Sequence, residues 1–365
     1  MESQSHYAVA GIDVHKKMLA VVITNVGQPG DWVWERRTFG TLDSDLRALA
    51  SWLNEHDVQE AVMESTAQYW NPVWRTLEGQ CKLHLAHAQS NRGRQGRKRD
   101  FADAERLVRR LVAGELVLSF VPDVQQRLWR AATRARHQLT CDRVRLQNQL
   151  EALLEDALRG AERMSDLHRQ LLRLLLERLE LVEQQREILH QTIAHALEEH
   201  SAAIARLIEI PGFGVNSAQQ IIAEVGPQAV TFDSAAQLAA WAGVCPGRNE
   251  SAGVSTSDRC PKGNRTLRRV LTEVALAAIK TKGCVFQLLY RRLVVRLGHA
   301  KTIWAIAHRL CRLVWKILHQ GISYQERSDC PNTLLAKQRT RRLIRQLQAL
   351  GYQVQLTPLT TNPAC

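Results

Sequence analysis

The sequence predicts an α/β domain followed by a longer, mostly helical region, and three observations carry that reading. Residues 7–86 alternate short β-rich apolar segments with helical patterns. Residues 124–200 contain no proline and a single glycine. From residue 204 the chain returns to short helices punctuated by glycine. A length of 365 residues with 45% hydrophobic content supports roughly two to three separate cores and excludes a disordered chain.

The elements follow in order. YAVAGIDVHKKMLAVVIT, residues 7–24, is two apolar halves around a polar centre, and residues 25–30 supply turn chemistry before DWVWERRTF, so a β-hairpin opens a sheet. Asp43 is placed to cap a helix through Leu46, Leu49, Trp52 and Leu53. The short strand AVMES follows, then a helix from Trp70 to Leu77 and a strand KLHLA, which gives a βββαβαβ order. Such alternation predicts a mixed sheet with helices on its faces. From Asp100 the pattern DFADAERLVRRLVAGEL is helical, with Leu107, Leu111 and Leu116 on one side and Gly114 as a stop. Leucines 139, 146, 150 and 153, then 172, 175, 179 and 189, fit two long helices broken near Arg159 and Gly160, paired as a helical hairpin or coiled coil. IEIPGFGVNSAQQIIAEVG reads as a helix-hairpin-helix, in which Gly212 and Gly214 would let backbone N–H groups approach a DNA phosphate. A short basic helix at 333–349 and a polar tail complete the chain.

The domain boundaries expected from this pattern are 1–123 for the α/β domain, 124–200 for the helical pair as an oligomerisation region, 201–325 for a C-terminal domain and 326–365 for a basic tail. No run of about 18 apolar residues occurs, and the N-terminus lacks the basic-then-apolar pattern of a secretory signal, so the expectation is a soluble intracellular protein with no membrane partner. The eight cysteines have no C-x-x-C spacing, which argues against a disulfide framework or structural zinc and for small buried hydrophobes in a reducing compartment.

Charge gives the first functional hint. Lys and Arg number 49 against 36 Asp and Glu, a net charge of +13, which suits a polyanionic partner. Arg92, Arg94, Arg97, Lys98 and Arg99 crowd a glycine-containing stretch whose cations could follow a phosphate backbone. Lys262, Asn264, Arg265, Arg268 and Arg269 form a second cluster at a loop and helix start.

Carboxylates supply the chemistry. Asp13 interrupts an apolar strand, where an uncompensated carboxylate is costly. Glu64 closes another short strand, and Asp100 and Asp103, three apart, share one face of a helix start. Convergent acids repel unless divalent cations neutralise them, and two Mg²⁺ ions about 3.5 to 4 Å apart can clamp a phosphodiester. That constellation points to phosphoryl transfer on a nucleic acid.

GIDVHKK, MESTAQYWNPVWRTLEG, GRKRDFADAERLVRRLVAGELVLSFVPD, IPGFGVNSAQQIIAEVG, WAGVCPGRNESAG and KGNRTLRRVL occur in that order over residues 7–290. Together they resemble the successive blocks of the DEDD transposases of the insertion sequence 110 family. The resemblance implies a RuvC-like (RNase H fold) N-terminal domain whose four acids are Asp13, Glu64, Asp100 and Asp103, with Mg²⁺ as cofactor and Mn²⁺ as a substitute. It implies a C-terminal transposase domain with a nucleophilic serine, best matched by Ser251, which forms a covalent protein–DNA intermediate with the acids of a partner subunit. Donor and target DNA, a structured guide RNA, a homo-oligomer (dimer or tetramer) and a location in the prokaryotic cytoplasm at the nucleoid are implied in the same way. Ser255 and Ser257 lie close to Ser251, and two departures from the family pattern occur, at Ala252 and at Arg99. A RuvC-type nuclease using water and a non-catalytic nucleic-acid-binding protein are the alternatives.

Overall fold

The computed structural model describes residues 7–27, 32–65, 67–88, 100–159, 164–247, 249–251, 254–257, 260, 262–326, 333–349 and 351–355, with the side chains of 159, 249–251, 254–257 and 333–339 left aside. The chain divides into two compact units, residues 1–122 and 123–365.

The first unit is a three-layer α/β structure. Strands β1 (Ala8–Val14), β2 (Leu19–Asn25), β3 (Glu35–Phe39), β4 (Val58–Glu64) and β5 (Lys82–Ala86) form one sheet in the order β3-β2-β1-β4-β5. β1, β2 and β3 are antiparallel neighbours, whereas β4 runs parallel to β1 and β5 parallel to β4. Two helices, α1 (Asp43–Glu55) and α2 (Trp70–Leu77), make the crossovers. They bury Leu46, Leu49, Trp52, Leu53, Val73 and Leu77 against Ala10, Ile12, Leu19, Val21 and Met63. On the opposite face α3 (Asp100–Val112) lays Ala104, Leu107 and Val108 on Val9, Val22, Val62 and Ala86. The period-two alternation of β1 thus sends Ile12 and Val14 into one core and leaves Asp13 on the α3 side.

Gly11 explains how closely α3 approaches. A Cβ there would sit 2.4 Å from the Ala104 carbonyl oxygen and 2.8 Å from Val108 Cγ2, so the helix backbone rests directly on β1. An ion pair between Arg36 and Glu105 at 2.7 Å ties α3 to the β3 edge. One local expectation is corrected. Asp43 is the first residue of α1 rather than its cap; Leu42 occupies the cap, and its N–H donates to the Asp45 carboxylate at 3.3 Å.

The second unit opens with the long helices α4 (Val124–Arg159) and α5 (Asp166–Ala196), which pack against each other. After a 3-10 turn at Glu198–His200 come α6 (Ser201–Ile208), α7 (Val215–Val225) and α8 (Ala235–Ala242). A small hairpin of β6 (Asn249–Ser251) and β7 (Val254–Ser257) precedes α9 (Arg265–Ala278), α10 (Val285–Gln320) and α11 (Thr333–Ala349). α10 is kinked at Gly298, where φ is +74°. The N-terminal half of α4 is bound to α7: Gln126 and Arg130 donate to the Ala223 carbonyl, and Arg134 makes a two-bond fork with the Glu224 carboxylate at 2.8 and 2.9 Å. Glu224 is fully buried and also accepts from Asn264 Nδ2 at 2.7 Å.

Six cysteines fall among the described residues, and all are free thiols. Only Cys284 and Cys311 are buried, the other four being half-buried, so burial of most of them is not what the fold provides. Among the described residues no helix is long and apolar enough to cross a membrane.

Candidate active site

Asp13 sits one residue before the end of β1, and Glu64 ends β4. The parallel register pairs Ile12 with Met63, so the next residues along, Asp13 and Glu64, stand side by side at the carboxyl ends of adjacent strands. Both belong to the alternation that faces α3, whose first turn carries Asp100 and Asp103. The sheet ends and the helix start thereby bring the four predicted acids to one edge of the first unit.

The electrostatics of Asp13 record this crowding. Burial pushes its pKa up, the negative charges of Asp103 and Asp100 push it further, and His15 opposes them. His15 Nε2 lies 3.1 Å from Asp13 Oδ2 and 3.4 Å from Asp100 Oδ1, so one imidazole bridges two carboxylates. Asp13, His15 and Asp100 each offer a ligand atom, all within 4.8 Å of one another, a spacing a single cation could span. Asp103 is held by Arg106 one turn on in α3. The residue-type reading singled out the acids and passed over His15. Its signal was the spacing of two from Asp13, which keeps both on one side of an extended chain.

At the opposite end of the same sheet face, Glu60 collects Tyr7 Oη (2.5 Å), Lys82 Nζ (3.1 Å) and His84 Nε2 (2.6 Å). Burial pushes the Glu60 pKa up, but the three bonds together bring it below the ordinary glutamate value. This acid is paired by three neighbours at once.

The other predicted site residues are in the second unit or outside the described residues. Ser251 ends β6 and pairs with Val254 across the hairpin. Lys262 and Arg265 are exposed. Asn264 caps α9 by accepting from the Leu267 N–H at 3.0 Å while it donates to Glu224. Arg268 lies over the Trp304 ring at 4.8 Å, and Arg269 bonds Glu273 and Gln220. Gly263 is required by its neighbour, since a Cβ there would meet the Ala242 carbonyl carbon and the Gly243 nitrogen at 2.4 Å. Gly212, at φ +90°, abuts the α9 backbone at Val274 and Ala278, whereas Gly214 has open space where a Cβ would stand. Arg92, Arg94, Arg97, Lys98 and Arg99 lie outside the described residues.

Comparison with known proteins gives this geometry a context. A family profile described as a DEDD-type transposase matches residues 10–159, and one described as "Transposase IS116/IS110/IS902 family" matches residues 204–291. The chain belongs to the insertion sequence 110 family of transposases. A relative from Streptomyces coelicolor (strain ATCC BAA-471 / A3(2) / M145), "Insertion element IS110 uncharacterized 43.6 kDa protein", is 27% identical over 154 residues. That match spans 42% of this transposase-family chain and 38% of the relative. Among solved structures, "T. thermophilus RuvC in complex with Holliday junction substrate" aligns at 11% identity with a TM-score of 0.24, over 31% of this chain and all of that one. "Thermus thermophilus RuvC structure" aligns at 12% identity and the same TM-score, over 31% of this chain and 99% of that one.

Proposed function

We propose that the protein is a divalent-metal-dependent DNA recombinase that moves its own insertion sequence, with Asp13, Glu64, Asp100 and Asp103 as the metal ligands and Ser251 as the nucleophile. The observation that carries the reading is the crowding of Asp13, Asp100 and Asp103 where β1 meets the start of α3, with Glu64 beside them on β4. Burial and two neighbouring carboxylates raise the Asp13 pKa against the opposing pull of His15, a cost that a bound cation would relieve, and the oxygen donors of the four acids suit Mg²⁺, with Mn²⁺ as a substitute. In this reading the first unit is the RuvC-like domain. When bound, such ions would stabilise charge on the attacking and leaving oxygens of a phosphodiester.

The chain's own groups have defined tasks. Asp13 and Glu64, fixed on adjacent strands, set the rigid side of the site, and Asp100 and Asp103 close it from the helix. The Ser251 oxygen forms an ester with phosphorus as the strand oxygen departs. A hydroxyl of another strand later attacks the same phosphorus and frees the serine, so phosphodiester bonds are conserved and no ATP is consumed. The basic residues at 92–99, together with Lys262 and Arg265, serve as contacts to donor and target DNA, and Gly214 leaves the start of α7 open to a phosphate in the manner of a helix-hairpin-helix. A structured guide RNA and assembly through α4 and α5 complete the proposal.

The test is to trap reaction products under denaturing conditions. Wild-type protein with Mg²⁺ should yield a covalent protein–DNA adduct, and neither Asp13→Ala nor Ser251→Ala should yield it or support transposition. Metal-dependent nicking by wild type without an adduct would assign the acids to a water-using nuclease. Unchanged transposition by Ser251→Ala would remove the serine from the mechanism.

A further inference from the structure

A cavity of about 580 Å³ opens in the second unit among α4, α5, α7 and α9, and neither the four acids nor Ser251 are among its lining residues. Its wall contains a buried cation that pairs with no carboxylate among the described residues. Arg136 is 6% exposed, and its guanidinium donates to the Gln219 side-chain oxygen at 2.7 Å and the Asn216 carbonyl at 3.3 Å, both neutral acceptors. Burial and the neighbouring charge of Arg186 lower its pKa to about 10, and no carboxylate opposes them. Arg186 itself has an Nε buried without a hydrogen-bond partner, and its one carboxylate among the described residues, Glu183, is 4.0 Å away.

The acids that line the cavity have nearer partners of their own, one of them the wall residue Arg269. Glu183 is held by Arg143 at 2.6 Å, Glu273 by Arg269 at 3.0 Å, and Glu187 accepts from Gln191 at 3.0 Å. His137, on the wall beside them, has its pKa lowered by burial and by Arg269, with Glu273 opposing. Buried charges are normally paired, because desolvation without a counter-charge is expensive. Two neighbouring guanidiniums, one bonded only to neutral oxygens and one with an Nε lacking a hydrogen-bond partner, hold positive charge that a tetrahedral oxyanion could balance.

We propose that this cavity is a phosphate-binding site, with Arg136 and Arg186 as its anion-binding pair. It does not depend on the metal chemistry proposed above. The phosphate could belong to a nucleic-acid backbone or to a free phosphate, and the two sources separate experimentally.

The experiment uses the full chain and compares wild type with Arg186→Gln, Arg186→Lys and Asp13→Ala. Thermal midpoints are measured with inorganic phosphate added at constant ionic strength, and binding of a labelled oligonucleotide is followed across a salt series. Phosphate should raise the midpoint of wild type and of Asp13→Ala by about 2 °C or more and leave Arg186→Gln unmoved, with Arg186→Lys between them. Without phosphate, Arg186→Gln should melt no lower than wild type, because the charge it removes has only a distant carboxylate, Glu183 at 4.0 Å; a lower midpoint would mark Arg186 as merely structural and overturn the site. If the salt dependence of oligonucleotide binding falls by about one ion in Arg186→Gln, the source is a backbone phosphate. If it stays constant while the phosphate response is lost, the ligand is free phosphate. Equal phosphate responses in wild type and Arg186→Gln would overturn the proposal.

Discussion

Gly11 and Asp13 show how much hangs on single side chains in the first strand. A Cβ at position 11 would stand 2.4 Å from a main-chain oxygen of α3, which cannot rotate away as a side chain could. Gly11→Val should therefore lift α3 from the sheet, with an overpacking cost of about 1–3 kcal/mol. Because that helix carries Asp100 and Asp103, Mn²⁺ affinity measured by titration should fall together with the thermal midpoint. Wild-type values of both would contradict the close packing. Glu60 offers a pH test with a definite sign. Its folded pKa lies below the ordinary value of 4.5, so its stabilisation is complete above that pH and is lost as pH falls through the folded value. The unfolding free energy of Glu60→Gln should be below that of wild type at pH 7, and the gap should close on acidification. A constant gap would mean that the charge of Glu60 contributes nothing. Asp13 was legible in the sequence because a carboxylate among Ile and Val has few structural explanations. Gly11 was not, since the helix that demands it begins 89 residues later.

Among the elements, α7 depends on partners far away in the chain. Its Glu224 has no exposure to solvent and is neutralised by the Arg134 fork, by Arg130 at 3.5 Å and by the Asn264 amide. Removing one member of such a buried network leaves the others uncompensated, so Glu224→Ala should destabilise the second unit by about 3–5 kcal/mol. Urea unfolding followed by circular dichroism would show it; a loss below 1 kcal/mol would mean that water solvates the arginines instead. The long helices themselves were easy to read, because the 73 residues of α4, the connection and α5 lack proline and repeat leucine at helical spacing. The network was not, because polarity alone does not distinguish Asn264 facing a phosphate from Asn264 capping α9 and bonding an acid 40 residues earlier. The same ambiguity covers Arg269, whose guanidinium meets Gln220 and Glu273.

At the scale of the whole molecule, the four acids belong to one compact unit and Ser251 to the other, and α5 exposes a stripe that could bring a second copy to them. Leu167, Leu174, Leu181 and Ile188 recur every seven residues and are each half or more exposed, whereas Leu172, Leu175 and Leu179 lie on the less exposed face. Exposed apolar residues at heptad spacing are the pattern of a helix that packs against another copy. Replacing Leu174 and Leu181 with Glu should convert an oligomer to monomers in sedimentation, with helical content unchanged. Loss of helicity instead would mean that the stripe packs within the chain. If assembly places the serine of one subunit at the acids of another, two inactive proteins should complement each other. A mixture of Asp13→Ala and Ser251→Ala creates, in a mixed dimer, one composite site with intact acids from one subunit and an intact serine from its partner. Random assortment makes about half of the dimers mixed, each with one competent site of two, so recombination should recover to about a quarter of wild type. An arrangement within a single subunit gives no such site, and the mixture would stay as inactive as either variant alone.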